Sequence, residues 1–243
     1  MDTTNIYPNT WAHEFLTFLK KSHRKNNRFL HLEIGETFTL AVTEDREVYS
    51  WGLNDFNQCG RHGTPGSFSL GVGVVKNASN NSPRFIGAGK DHAIMVDDFN
   101  NVYSWGRNMD GQLGLEHARN TDCIHVLNSI REKVTNLAVK DNTTFILTKS
   151  GAVIRWPFLK DSSSKYSPQR INLPSNVKIS NIALGSGFGI LLATSGLLFA
   201  LGRNDYGQLG IGNLNESNTP VLIHALKERN EKVTGKSPLH DKN

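Results

Sequence analysis

Two glycine-rich stretches bring this sequence nearest to nucleotide chemistry. Gly87-Ala88-Gly89-Lys90 has the glycines and the lysine of a phosphate cradle, in which backbone N–H groups and an ammonium meet phosphate oxygens. That chemistry also needs a glycine at position 84 and a hydroxyl after the lysine, and the chain has Arg84 and Asp91 there. Gly185-Ser186-Gly187-Phe188-Gly189-Ile190 matches a dinucleotide fingerprint in its first half only, with no helical pattern behind it. The nine histidines are scattered, with no pair at metal-ligand spacing, and Cys59 and Cys123 form no Cys-Xaa-Xaa-Cys pair. The carboxylates of the Asn-Met-Asp and Asp-Tyr-Gly segments suit turns, and no two recur as an acid and a base. The expectation is therefore no catalytic residue, no cofactor and no metal; the reading leans away from an enzyme without closing the question.

These residues sit inside a repeated module. Val102-Tyr103-Ser104-Trp105-Gly106-Arg107-Asn108-Met109-Asp110-Gly111-Gln112-Leu113-Gly114 has an upstream echo from Val48 to Gly60, with Trp51 and Gly52 in the same places. Its downstream echo runs from Leu198 to Gly210 and carries Gly202, Gly207, Gln208 and Gly210. A worn copy lies at Val153-Ile154-Arg155-Trp156-Pro157. Each copy opens as a strand rich in β-branched and aromatic residues, then breaks at Gly-Xaa-Asn into a polar turn.

A second landmark keeps the same phase. Gly35, Gly89, Lys140 and Gly185 follow one another at 54, 51 and 45 residues, the intervals that separate Trp51, Trp105, Trp156 and Leu201. Three residues after each anchor a second strand begins, as at His92, and tight turns such as Lys149-Ser150-Gly151 join it to the tryptophan strand. Periods of this size mark a repeat architecture. The recurring tryptophans are expected in buried packing seats, the anchor glycines where neighbouring backbones approach closely, and His92 in a structural hydrogen bond.

The pattern Gly-Xaa-Xaa-His, then a hairpin, then Val-Tyr-Ser-Trp-Gly-Xaa-Asn-Xaa-Xaa-Gly-Gln-Leu-Gly resembles the regulator of chromosome condensation repeat. Pro83, Pro168 and Pro220 stand where that repeat ends in proline, and the second copy lacks one. The resemblance implies an all-β fold, a β-propeller of four-stranded blades that is usually seven-bladed. About four repeats are present, at 29–83, 84–133, 134–178 and 179–232, so an incomplete, arc-shaped propeller is expected. Its open sheet edges are expected to be covered or to self-associate. One blade should be irregular, because Pro157 replaces the glycine and Phe158 to Lys165 has no Gly-Gln-Leu-Gly.

Outside the repeats, residues 1–28 read as a short N-terminal helix, capped by Thr10 and striped by Trp11, Phe15, Leu16 and Leu19, then a basic segment. Lys20, Lys21, Arg24, Lys25 and Arg28 there are candidate partner-binding residues. Residues 233–243 read as a tail that breaks off the start of a further repeat, and Arg61 to Ser82 as a long connection without element pattern, either disorder or a plain insertion, or a partner-binding loop. Charged residues are 20% and apolar residues 37% of the 243, the balance of a soluble globular protein. The net charge of +5 comes without a basic run of nucleic-acid-binding length, so nucleic acid is not the expected partner. No secretory leader and no membrane span are visible, and the compartment expected is cytoplasm or nucleus, with cilium or centrosome also open.

Two classes of function follow. One is a non-catalytic protein-interaction scaffold. The other, implied by the resemblance, is guanine-nucleotide exchange on a Ran-like small GTPase; a third option is a fragment of a larger protein such as a HECT-type ubiquitin ligase.

Overall fold

The computed structural model describes residues 28–62, 69–157 and 166–224, without the side chains of residues 69, 70 and 79. The helix expected after Thr10, the basic residues Lys20, Lys21, Arg24 and Lys25, and the tail at 233–243 lie outside them.

Among the described residues, sixteen strands form four sheets, each of four strands in sequence order and antiparallel throughout. The first holds β1 (Phe29–Ile34), β2 (Phe38–Thr43), β3 (Val48–Leu53) and β4 (Ser69–Val74). The second holds β5 (Pro83–Ala88), β6 (His92–Asp97), β7 (Val102–Gly106) and β8 (His125–Val126). The third holds β9 (Val134–Lys140), β10 (Thr143–Thr148), β11 (Val153–Trp156) and β12 (Gln169–Arg170). The fourth holds β13 (Ile179–Gly185), β14 (Phe188–Ala193), β15 (Leu198–Gly202) and β16 (Ser217–Leu222). The chain is thus an all-β, four-bladed part of a propeller.

Register shows why the two sequence landmarks share a phase. Phe38 pairs with Gly52, His92 with Gly106 and Phe188 with Gly202, so anchor strand and tryptophan strand are locked as one hairpin. One expectation fails: the stretch from Arg61 to Ser82 is not featureless. It contains β4 and a single helical turn at Lys76–Ser79, with residues 63–68 outside the described ones. Glycines in Ser69-Leu70-Gly71-Val72-Gly73-Val74 hide the strand pattern. The pairing edge of β3, not local propensity, makes this segment a strand.

Blades pack face against face, and the alternation along each second strand decides which residue meets which neighbour. Phe38, Leu40 and Val42 join Ile86, Ala93, Met95 and Trp105 in a core between blades one and two. Ile94 and Val96 meet Val134, Ile146 and Trp156 between blades two and three. Phe145 and Leu147 meet Ile179, Ile182, Leu191 and Leu201 between blades three and four. Each fully buried side chain of this size contributes about 1.5–3 kcal/mol. Among the described residues no core cluster joins blade four to blade one. What the arc leaves open at either end is therefore a sheet face rather than a strand edge.

Candidate interaction surface

One end of the arc carries the polar loops that follow the third strands, and an asparagine builds those of blades one, two and four. The Oδ1 of Asn54, Asn108 and Asn204 accepts the backbone N–H of Cys59, Leu113 and Leu209 at 2.9, 3.0 and 2.9 Å. The Nδ2 of Asn108 donates to the carbonyls of His117 and Arg119 at 2.8 and 3.0 Å, and that of Asn204 to those of Asn213 and Asn215 at 2.7 and 3.0 Å. Gln58, Gln112 and Gln208 accept the N–H of Phe56, Asp110 and Tyr206 through Oε1. From the sequence alone Gly-Xaa-Asn reads as a simple chain break, which leaves the role of these asparagines hidden. Their recurrence at one place in three copies was the available signal.

The loops also clasp the next blade. Trp105 of blade two donates its indole N–H to the Gln58 carbonyl of blade one at 3.0 Å, and Trp156 of blade three donates to the Gln112 carbonyl of blade two at 2.9 Å. Both indoles are buried, but Trp51 is only half-buried, against the expectation of equivalent buried seats. The reason is geometric: the loop that covers each indole belongs to the preceding blade, and blade one has none before it among the described residues. Between blades three and four both partners of the clasp are changed together, since Leu201 replaces the indole and the sequence after Trp156 lacks the glutamine.

The glycines divide into two roles. A Cβ on Gly35 would lie 2.5 Å from both the Gly89 carbonyl and the Phe38 ring, and one on Gly89 would lie 2.2 Å from His92. These anchors, with Gly185 against Phe188, leave room for the ring three residues on. Blade three has Lys140 there and places the small Thr143 where the ring would be. Gly52, Gly106 and Gly202 turn the chain out of the third strand at φ 114, 103 and 111, a region that favours glycine. Gly111, Gly114, Gly207 and Gly210 also take positive φ in the loops that hold Gln112 and Gln208.

The pinned loops present exposed side chains at their tips. Tyr206 is 92% exposed and Met109 53% exposed, while the asparagines beneath them, Asn108 and Asn204, are completely buried. Charges lace neighbouring blades on the same end. Lys90 lies 3.4 Å from Glu36, Arg107 stacks 5.8 Å over the Phe56 ring, and Asn142 donates to Asp110 at 3.0 Å. Exposed pairs of this kind are worth about 0–1 kcal/mol, so they orient the tips more than they hold the blades. The surface is a platform with mixed charges at its rim and an aromatic and a thioether at its tips, the last two being residue types enriched at protein interfaces.

Proton and metal chemistry find little footing here. His92 is wholly buried, with Nε2 3.3 Å from Thr144 Oγ1 and Nδ1 without a partner, and burial pushes its pKa down to about 3. It stays neutral near pH 7 and touches no solvent. Burial raises the Cys59 thiol to about 11, whereas Cys123 is exposed, and the two are unbonded. Among the described residues no three His, Cys, Asp or Glu side chains cluster to hold a metal, and no helix is long and apolar enough to cross a membrane. Of the basic candidates from the N-terminal segment, Arg28 alone is described. Its side chain is exposed, and its carbonyl accepts the Glu44 N–H at 2.8 Å.

Comparison with known proteins agrees with this construction. The family model described as the regulator of chromosome condensation (RCC1) repeat matches residues 100–141 and 195–235, and a second model of that repeat matches residues 30–58. The Arabidopsis thaliana protein named ultraviolet-B receptor UVR8 is 29% identical over 211 residues, covering 82% of this chain and 47% of the receptor. The Saccharomyces cerevisiae protein named guanine nucleotide exchange factor SRM1 is 26% identical, covering 77% of this chain and 42% of that one. The chain thus spans about half the length of these relatives. The crystal structure of Prp20p from Saccharomyces cerevisiae superposes with a TM-score of 0.67 at 20% identity, over 81% of this chain and 50% of Prp20p. With the repeat matched in three places, and with asparagine-stapled loops clasping indoles from blade to blade, the chain carries the regulator of chromosome condensation repeat.

Proposed function

We propose that this chain is a non-catalytic protein-binding module that engages its partner through the loop end of the arc. The observation that carries the reading is Tyr206, 92% exposed at the tip of a loop whose supporting Asn204 is fully buried. An exposed aromatic held on a rigid base binds with little loss of side-chain freedom. Loops on a fixed scaffold are the usual place for such function. Partner capture followed by cross-linking mass spectrometry tests it. Tyr206→Ala and Met109→Asp should lose a partner that Phe99→Asp, an 81% exposed residue at the opposite end, retains. Equal capture by all variants would reject the loop end as the contact.

A second reading is exchange activity or regulation toward a small GTPase. It is favoured by the relative named a guanine nucleotide exchange factor and by the Prp20p structure, whose description includes binding to Gsp1p and histones. Exchange of this kind asks for a wedge rather than an acid or base, which suits loops that hold no such pair. Nucleotide release from a panel of purified small GTPases separates the readings. Stimulated release at catalytic amounts of the chain supports exchange, and stable binding without release supports the scaffold.

A further inference from the structure

The two open ends of the arc are the two halves of the contact that joins its blades. In blades two, three and four, the first strand is covered by the blade before it. Ile86 and Ile182 are 7% and 6% exposed, and Leu137 packs into the core between blades two and three. The residue at that position in blade one is Leu32, 57% exposed. Two residues on, Ala88 is 5% exposed, and Val139 and Leu184 pack into the cores against the preceding blades. Ile34, at the same position of blade one, is 70% exposed. The rear face of blade one therefore carries side chains chosen for burial and leaves them in water.

The forward face of blade four is its complement. Val42, Val96 and Leu147 are 1%, 0% and 3% exposed, covered by the blade that follows each, and the matching Leu192 is 36% exposed. Phe188 and Ile190 beside it are half-buried, around a small cluster of Ala200, Leu209 and Ile223 that belongs to blade four alone. The clasp is open in the same way. A Cβ on Gly60 or Gly114 would lie 2.9 or 3.1 Å from the indole Nε1 of the next blade, whereas the nearest atom to one on Gly210 is Ile223 Cγ2 of its own blade at 3.6 Å. Among the described residues, the Gln208 carbonyl accepts no hydrogen bond and the Trp51 indole donates none. Donor and acceptor of one missing clasp thus stand at opposite ends of one chain.

We infer that a second copy of this chain docks head to tail, its rear face of Leu32, Ile34 and Trp51 against the forward face of Phe188, Ile190 and Leu192, with Trp51 donating to the Gln208 carbonyl. The occupant is a second copy because each copy brings both faces, and the face-to-face packing is one the chain already uses three times within itself, the clasp one it uses twice. A heterologous contact of this kind closes into a ring when the rotation permits. Two four-bladed arcs make eight blades, within the range of roughly four to eight that propellers use. The inference is independent of what binds the loop end.

Sedimentation velocity of the full chain tests it, with Leu32→Asp and Leu192→Asp as variants at exposed positions and circular dichroism to verify their fold. The wild type should sediment as a two-copy species, twice 27.0 kDa, and each variant alone as a single copy. An equimolar mixture of the variants should regain a pair, because one intact rear face then meets one intact forward face. Trp51→Phe, which removes only the N–H, should weaken association roughly three- to tenfold. A wild type that stays single at tens of micromolar overturns the inference, and would mean that the faces are covered by other residues of the chain or by another protein's blades. Survival of the pair in either variant alone also overturns it, since pairing of like faces requires only one of them.

Discussion

Trp105 does two jobs that substitution can separate. Its ring fills the core between blades one and two, and its N–H satisfies the Gln58 carbonyl at 3.0 Å. Trp105→Phe keeps much of the first and loses the second, leaving a buried carbonyl without its donor. We expect a loss of about 1–3 kcal/mol in a urea titration, beyond the cavity cost of the smaller ring. His92 predicts a pH effect. Its folded pKa of about 3 lies below the unfolded value, so above about pH 6.5 both states are neutral and the residue adds no pH dependence. As pH falls from there toward 3, the unfolded chain takes up a proton that the folded one refuses, and stability drops by at most about 1.4 kcal/mol per pH unit. Asp91 and Glu33, whose carboxyls burial raises, act in the opposite sense. His92→Phe places in blade two the ring that Phe38 and Phe188 supply in blades one and four. Its stability measured between pH 7 and 4 should fall less steeply than that of the wild type.

At the scale of the element, the loop is the unit that sequence conveyed least completely. The glycines and the glutamine stood out because their spacing repeats, and the hairpins because β-branched residues alternate between tight turns. The asparagine was hidden because its work is done on backbone groups five to eleven residues away, which no local pattern displays. β4 was hidden for a related reason: its glycines carry no alternation, and only the edge of β3 makes it a strand. Asn108→Ala tests the assignment, since it removes two donated bonds and one accepted bond from a residue with no exposure. A loss of about 2–3 kcal/mol is expected, with faster hydrogen exchange at the Leu113 amide while the strands of blade two remain protected.

Over the whole molecule, the blades form a one-dimensional stack in which each is stabilised by its neighbours. Blades two and three have a covered face on both sides, and blades one and four on one side only. Native-state hydrogen exchange on the single-copy variant Leu32→Asp should therefore show the slowest amides in β6 and β10 and faster ones in β2 and β14. Uniform protection across all four blades would argue for one cooperative block instead. The number of blades was readable from the spacing of the landmarks. The nature of their exposed ends was not, because a repeat names its own residues and says nothing of which neighbour lies over them.

The joint between blades three and four has Leu201 where the two other joints have an indole, and its core is a set of aliphatic side chains and phenyl rings. Apolar contact loses strength on cooling, while a hydrogen bond does not weaken in the same way. Chilling should loosen that joint before the clasped ones, so the fourth blade is where low temperature first undoes the molecule.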